Sequence, residues 1–559
     1  MHAPRSIAEL VGQTLAGLGA GHAFGVVGSG NFAVTNALKA AGVPFTASRH
    51  EGGAATMADA YSRMSGRLGI VSVHQGCGLT NAATGIGEAA KSRTPMLVLA
   101  AETAGAAVRS NFAMDQPGFA RSVGAVSERV HSAASAAADT VRAYRTAVNE
   151  RRTVVLNLPL DVQAQPAPPA STAVGPAGTV SAAQPVRPAP DAAEALADLI
   201  AAAERPVFVA GRGAREAGYQ LRALAAHAGA LLATSAVAKG LFNGEPFSLG
   251  ISGGFSSPVA AELISEADLI VGFGCTLNMW TMRQGALIGP GAKVAQVDVE
   301  DSALGANRPV DLGIMGDSGQ TADAVLDILR GRGPAAAKYR TGPVRERISG
   351  GIRWQDVPLD DLSTEDRIDP RLLTARLDQL LPADRIVSVD SGNFMGYPSQ
   401  YLEVPDEFGF CFTQAFQSIG LGLATSIGAA LARRDRLPVL GTGDGGFLMS
   451  IAELETAVRL GLPLVVIVYN DAAYSAEVHH FGNNDGGAPV DLSTVTFPDT
   501  DIAAIARGFG ADGITVRTLD DLAGVSAWLE SSPARPLVID AKIASDGGSW
   551  WLAEAFKGH

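Results

Sequence analysis

Residues 438–471 read PVLGTGDGGFLMSIAELETAVRLGLPLVVIVYND. The opening apolar run predicts a buried strand that ends on Gly443-Asp444-Gly445. Ser450 and Glu453 have the S-x-x-E spacing of a capping box and predict a helix start, and Gly461 with Pro463 predicts its stop. LVVIVYN then predicts a second buried strand, which delivers Asp471 at its carboxyl end 27 residues after Asp444. In a right-handed βαβ crossover the two strands are parallel neighbours ending on one side, so the carboxylates converge despite their separation. Two hard oxygen ligands facing one crevice suit Mg²⁺, whose other positions go to water and phosphate. Gly445 and Gly446 let backbone N–H groups approach such a phosphate. Taken alone, G-D-G also fits an ordinary tight turn.

The pattern repeats outward. HAFGVVG (22–28), PFTASRH (44–50), LGIVSVHQ (68–75) and PMLVLAAE (95–102) are apolar runs that alternate with helix-like stretches. This is the signature of βαβ units around a parallel sheet, and it sets Ser29, Glu51 and His74 at strand carboxyl ends, where such sheets bind ligands. RPVFVAGRGA, ADLIVGFGCTL and AKVAQVDVED predict a second sheet of the same kind, without the G-x-G-x-x-G fingerprint of a dinucleotide site. Prolines at 166, 168, 169, 176, 185, 188 and 190 mark one linker, and residues 336–368 lose apolar periodicity and mark another. The reading is α/β, three consecutive Rossmann-like parallel-sheet domains: 1–165, 191–335 and 369–559, the last including a C-terminal tail.

With 559 residues, 47% hydrophobic and 18% charged, the chain can fill three cores. Its 43 Lys and Arg against 56 Asp and Glu give a net charge of −13, which excludes nucleic acid and anionic membranes as main partners. No apolar run approaches the roughly 20 residues of a membrane span. The N-terminus, MHAPRSIAEL, shows no secretory signal. Cys77, Cys275 and Cys411 are dispersed and odd in number, which fits inert thiols in a cytoplasmic protein.

GDG followed about 25 residues later by Asn-Asn or a variant resembles the cofactor signature of thiamine-diphosphate enzymes. The three-segment layout resembles the pyruvate decarboxylase, benzoylformate decarboxylase and acetolactate synthase superfamily over essentially the whole chain. The resemblance implies thiamine diphosphate and Mg²⁺. The metal ligands would be Asp444, Asp471, where the family usually has asparagine, and the main-chain carbonyl of Ala473. SRHEGGAATMADAYSR (48–63) resembles the family's pyrimidine-domain motif, so Glu51 would hydrogen-bond the aminopyrimidine and promote the imino form that generates the reactive carbon. A glutamate opening a helix also suits the helix dipole. TQAFQSIGLGLATSIGAAL (413–431) resembles the segment that bends the cofactor: Ile419 would be the apolar wedge and Gln417 would hold the pyrimidine amine. Gly392 and Asn393 of VDSGNF, together with Gly443, Gly445, Gly446 and Tyr474, would complete the cofactor site.

FGVVGSGN (24–31) and SVHQGCGLTN (72–81) resemble benzoylformate decarboxylase segments and put Ser29 and His74 at its active-site serine and histidine. Tyr474-Ser475-Ala476-Glu477 resembles the Y-T-x-E of pyruvate and indolepyruvate decarboxylases, whose glutamate protonates the enamine; His479 and His480 would neighbour the substrate channel. An acid at Glu477 favours release of an aldehyde from a small 2-oxo acid through an enamine/carbanion intermediate, with a carboligase side activity. The alternatives are an acetolactate-synthase-like carboligase acting on an aldehyde or second carbonyl compound, a C–C lyase and, more distantly, a nucleotide-binding oxidoreductase. No segment requires FAD. In the resembled family each site forms between the pyrimidine domain of one subunit and the diphosphate domain of another, which implies a homodimer or homotetramer.

Overall fold

The computed structural model describes residues 5–168, 184–482 and 490–555. Most of the proline-rich stretch read as the first linker, 169–183, and the last residues of the tail lie outside them. Three parallel six-stranded sheets follow one another. The first holds β1 (His22–Gly25), β2 (Phe45–Ala47), β3 (Gly69–Val73), β4 (Met96–Glu102), β5 (Val126–Arg129) and β6 (Thr153–Pro159), in the order β2-β1-β3-β4-β6-β5. The second holds β7 (Pro206–Ala210), β8 (Leu231–Thr234), β9 (Ser248–Ile251), β10 (Leu269–Phe273), β11 (Lys293–Asp298) and β12 (Leu312–Met315), ordered β12-β11-β10-β7-β8-β9. The third holds β13 (Arg385–Val389), β14 (Phe410–Phe412), β15 (Leu437–Gly443), β16 (Val465–Asn470), β17 (Asp512–Val516) and β18 (Leu537–Lys542), ordered β14-β13-β15-β16-β18-β17. The outer two sheets therefore share one strand order, and the middle one has the doubly wound Rossmann order.

Interior strands such as VVIVYN are buried at every position because helices cover both faces of a parallel sheet. The first and third domains share one core, in which Met57, Ile86 and Val98 cluster with Leu423, Ile427 and Phe447. Helix Glu51–Ser65 crosses helix Gly422–Ala432 so closely that a Cβ on Gly428 would lie 2.3 Å from the Met57 carbonyl oxygen. The stretch 336–368 contains a helix, Gly342–Gly351, which buries Val344 and Ile348 against the middle sheet beside Tyr339. Among the described residues no helix is long and apolar enough to cross a membrane. All three cysteines are free; burial pushes the Cys275 thiol up to about 11 and that of Cys411 up to about 12, while Cys77 is exposed.

Candidate functional site

The order of the third sheet reverses between β13 and β15, where loops leaving adjacent strands diverge and open a crevice beyond their carboxyl ends. The loop after β13 brings Gly392 and Asn393, β15 ends on Gly443, and its neighbour β16 hands on Asp471. Together with Asp444, Gly445, Gly446, Ala473, Tyr474, Glu477, Gln417 and Ile419, these residues line one cleft of about 1290 Å³.

Asp444 is buried and Asp471 half-buried, and neither makes a salt bridge among the described residues. Burial, reinforced by the charge of Asp471, pushes Asp444 up to about 7. Burial raises Asp471 as well, although the Ser475 hydroxyl donates to it. Asn470 is turned away: its amide donates to Asp540 at 2.7 Å and its carbonyl oxygen accepts from the Ala472 N–H at 3.1 Å. A cation between the two aspartates would relieve their repulsion. No group of three His, Cys, Asp or Glu side chains able to hold a metal occurs among the described residues, so an ion here needs further oxygen ligands. The glycines beside Asp444 are required by close approach. A Cβ on Gly445 would lie 2.5 Å from the Tyr474 ring, and one on Gly446 would lie 2.5 Å from Asp390 Oδ2.

Asp390 went unmarked in the sequence, although it opens the same DSGN turn as Gly392 and Asn393. It accepts from the Ser391 N–H at 2.8 Å, the Gly420 N–H at 3.1 Å, the Leu421 N–H at 3.2 Å and the Thr442 hydroxyl at 3.1 Å, so it ties together three segments of the cleft. Burial pushes its carboxyl up to about 6. Its signal was a carboxylate directly after an apolar strand, as at Asp444. Asn393 is held in turn by the C-terminal segment: its carbonyl oxygen accepts from the Ser549 hydroxyl at 2.5 Å and the Ser549 N–H at 3.2 Å.

The loop 413–421 crosses the cleft with Gln417 in a left-handed conformation, φ 57°, and Ile419 half-buried on the wall rather than in a core. Helix Ser475–Gly482 places Glu477, also half-buried, on the same wall. His479 packs beside Gly548, and neither it nor His480 lines the cleft.

The capping box read at Ser450 and Glu453 does not form. Helix begins at Asp444 itself, and a second helix, Ala452–Arg459, starts without a side-chain cap. The Ser450 hydroxyl donates back to the Gly446 carbonyl at 3.1 Å. Glu453 turns to the first domain, where one oxygen accepts from the Arg49 and His50 N–H groups, each at 3.0 Å.

Ser29, Glu51 and His74 form a separate cluster at the first sheet's own reversal, between β1 and β3. Ser29 Oγ lies 3.4 Å from His74 Nε2, and His74 Nδ1 lies 3.1 Å from the Gln75 carbonyl. A carbonyl only accepts, so Nδ1 is the donor in that contact. Glu51 opens helix Glu51–Ser65, is 9% exposed and accepts from Asn81 Nδ2 at 3.0 Å. Gly78 packs between the two: a Cβ there would lie 3.1 Å from His74 Cβ and 3.4 Å from Glu51 Oε1. None of the three lines the cleft of the third domain. That cleft instead continues over the strand ends of the middle sheet, where Gly211, Gly213 and Gly274 pack backbone against backbone; a Cβ on Gly211 would lie 2.1 Å from the Gly274 carbonyl oxygen.

Three family models match in chain order: "Thiamine pyrophosphate enzyme, N-terminal TPP binding domain" over residues 5–142, the central domain of the same enzymes over 193–325, and their C-terminal TPP binding domain over 390–541. The chain is 31% identical to a probable 2-ketoarginine decarboxylase of Pseudomonas aeruginosa, covering 91% of this chain and 89% of that one. It is 28% identical to an acetolactate synthase large subunit of Parasynechococcus marenigrum, covering 89% and 80% respectively. Identity is also 28% to a sulfoacetaldehyde acetyltransferase of Rhodobacter capsulatus, covering 95% and 93%. With all three domains matched and relatives aligned almost end to end, the chain belongs to the thiamine pyrophosphate enzymes.

Proposed function

We propose that this thiamine-diphosphate enzyme decarboxylates a small 2-oxo acid in the cytoplasm, with Mg²⁺ held by Asp444, Asp471 and the Ala473 carbonyl. Two mutually repelling carboxylates without a salt bridge, beside glycines that put no side chain between the backbone and the cleft, support that metal assignment. Thiamine diphosphate supplies a carbon nucleophile that attacks the substrate carbonyl and accepts the electrons released with CO₂. The chain's own work is to hold the diphosphate through Gly392, Asn393 and Gly443–Gly446, to shape the ring site with Gln417, Ile419 and Tyr474, and to engage the aminopyrimidine through Glu51.

The observation that carries the decarboxylase reading is Glu477 on the wall of the Asp444–Asp471 cleft. A carboxylic acid there delivers a proton to the former carbonyl carbon, which ends the turnover as a free aldehyde. Ser29 and His74 orient the substrate and move a proton from the opposite side.

The two clusters within one chain support active sites shared between subunits in a homodimer or homotetramer. Both are bordered by exposed apolar side chains, Phe32 at 60% near Ser29 and Met449 at 56% near Asp444, a pattern that marks a surface for association. The names of two relatives, an acetolactate synthase and an acetyltransferase, support carboligation as the second reading. Turnover of a panel of 2-oxo acids, including ones with cationic side chains as the decarboxylase relative's name suggests, with and without an acceptor aldehyde, tests both readings. Free aldehyde as the main product is expected; product formed only with an acceptor would replace decarboxylation by carboligation.

A further inference from the structure

Two buried carboxylates cross between the first and third domains in opposite directions. Glu453, 2% exposed, leaves the third domain and accepts from two consecutive main-chain N–H groups, those of Arg49 and His50, immediately before Glu51. Its second oxygen accepts from the Thr456 hydroxyl at 2.7 Å. The fit is tight enough that a Cβ on Gly53 would lie 2.4 Å from the Glu453 carboxylate. Arg459, on the same helix as Glu453, donates to the Ala47 carbonyl at 2.6 Å and holds the approach to this turn.

Glu88 makes the reverse crossing. Fully buried on helix Ala83–Lys91 of the first domain, it accepts from the Ala415 N–H at 3.1 Å on one oxygen and from the Phe416 N–H at 2.6 Å on the other. These N–H groups immediately precede Gln417. Arg63, itself bonded to Glu88 at 2.8 Å, donates to the Phe412 carbonyl at 3.0 Å. The Phe416 ring lies over Gly87, where a Cβ would come within 2.7 Å of it. Asp390 grips the far end of this loop through Gly420 and Leu421, so Gln417, Ser418 and Ile419 span two anchored ends.

We propose that Glu453 and Glu88 are reciprocal positioning residues: each domain sends one carboxylate to cap the two amides that set the direction of the other domain's cofactor-facing segment, Glu51 in one case and Gln417–Ile419 in the other. The proposal rests on the thiamine-diphosphate reading of those segments. Two N–H donors converging on a buried carboxylate form charge-assisted bonds that fix a turn more firmly than a neutral acceptor does. A displacement of about 1 Å at a reacting group costs up to ~10²-fold in rate.

The two caps differ chemically, and the difference makes the test specific. Glu453 uses one oxygen for both amides and the other for a hydroxyl, so E453Q keeps every bond: its amide oxygen accepts twice and its NH₂ donates to Thr456. Glu88 places one oxygen on each amide, and the one facing Ala415 also accepts from Arg63 and Ser92, so E88Q sets an NH₂ against an amide N–H whichever way it turns and removes the charge opposite Arg63. Amide hydrogen exchange of the cofactor-free full-length chain should rise at 49–50 in E453A and at 415–416 in E88Q, each variant leaving the other pair unchanged. In the loaded enzyme, proton exchange at the reactive thiazolium carbon should slow by about 10-fold to 10²-fold in E453A and in E88Q, and stay near the parental rate in E453Q. Altered amide exchange with a parental thiazolium rate, or E453Q as slow as E453A, would overturn the proposal. E88Q is nearly isosteric, so its arm decides the matter if E453A fails to fold. E51Q is the control for the underlying reading: a parental thiazolium rate in E51Q would remove Glu51 from the chemistry, while the amide pattern would still decide whether the caps operate.

Discussion

Replacing Asp444 by asparagine should make the cofactor-free protein more stable, and increasingly so as pH rises. Burial and the neighbouring Asp471 push the Asp444 carboxyl from 3.8 up to about 7 in the folded chain. The native state therefore binds more protons than the unfolded chain between those values, and stability falls as pH rises across that window. At 1.36 kcal/mol per pKa unit the cost approaches about 4 kcal/mol once pH exceeds the folded value, and it vanishes below the unfolded one. Asp390, raised to about 6, and Glu453, also raised, tilt parent and variant alike, so the difference between the two curves isolates Asp444. Urea unfolding of metal-free protein from about pH 5 to about pH 8 should show a gap that opens toward alkaline pH. Saturating Mg²⁺ and thiamine diphosphate should narrow the gap, since ligand at 100 times its Kd stabilises only the parent, by about 2.7 kcal/mol. Parallel pH curves, or parental cofactor retention in the variant, would refute the assignment of Asp444 as a metal ligand in a repulsive pair.

Glu51→Gln should retain the cofactor yet slow thiazolium proton exchange, whereas Glu477→Gln should leave that exchange intact, slow a later step by about 10² to 10⁴-fold and raise the ratio of carboligated product to free aldehyde; an unchanged ratio and rate would show that another group is the acid. Active enzyme should sediment at a multiple of the 57.3 kDa chain, and Met449→Lys should weaken assembly and activity together; full activity in a single-chain species would contradict shared sites. Asp390→Ala leaves four donors without their acceptor. It should cost at least about 2 kcal/mol in urea unfolding and open the 417–421 loop to proteolysis, and neither effect would appear if water replaced the carboxylate at no cost.

The central strands were legible because both faces are covered: LVVIVYN or MLVLAAE leaves no polar side to disguise the run. Edge strands such as Val126–Arg129 and Asp512–Val516 went unread for the opposite reason, since VSER and DGITV are half-exposed and carry charge. The convergence of Asp444 and Asp471 was readable from local rules alone: adjacent parallel strands end together, so two strand-terminal carboxylates must share a crevice. Asp390 obeys the same rule and was missed because its role is to bind main-chain N–H groups, and spacing gives no sign of where such groups lie.

Glu453 shows why the remainder of the site could not be read. Its spacing from Ser450 satisfies the capping-box pattern, and the local expectation is sound chemistry, but Ser450 is itself the last residue of helix Asp444–Ser450 and its hydroxyl donates back to the Gly446 carbonyl. The carboxylate is thereby free for the amides of Arg49 and His50, 404 and 403 residues away in the chain. Those amides meet it because the turn between β2 and helix Glu51–Ser65 lies against the third domain, where the Glu453 carboxylate is buried. That burial follows from the close crossing of Met57 and Gly428, a contact between helices whose sequences each specify an apolar face and nothing about a partner. Local patterns thus determine which groups seek hydrogen bonds, and only the packing of the first domain on the third determines which carboxylate satisfies them.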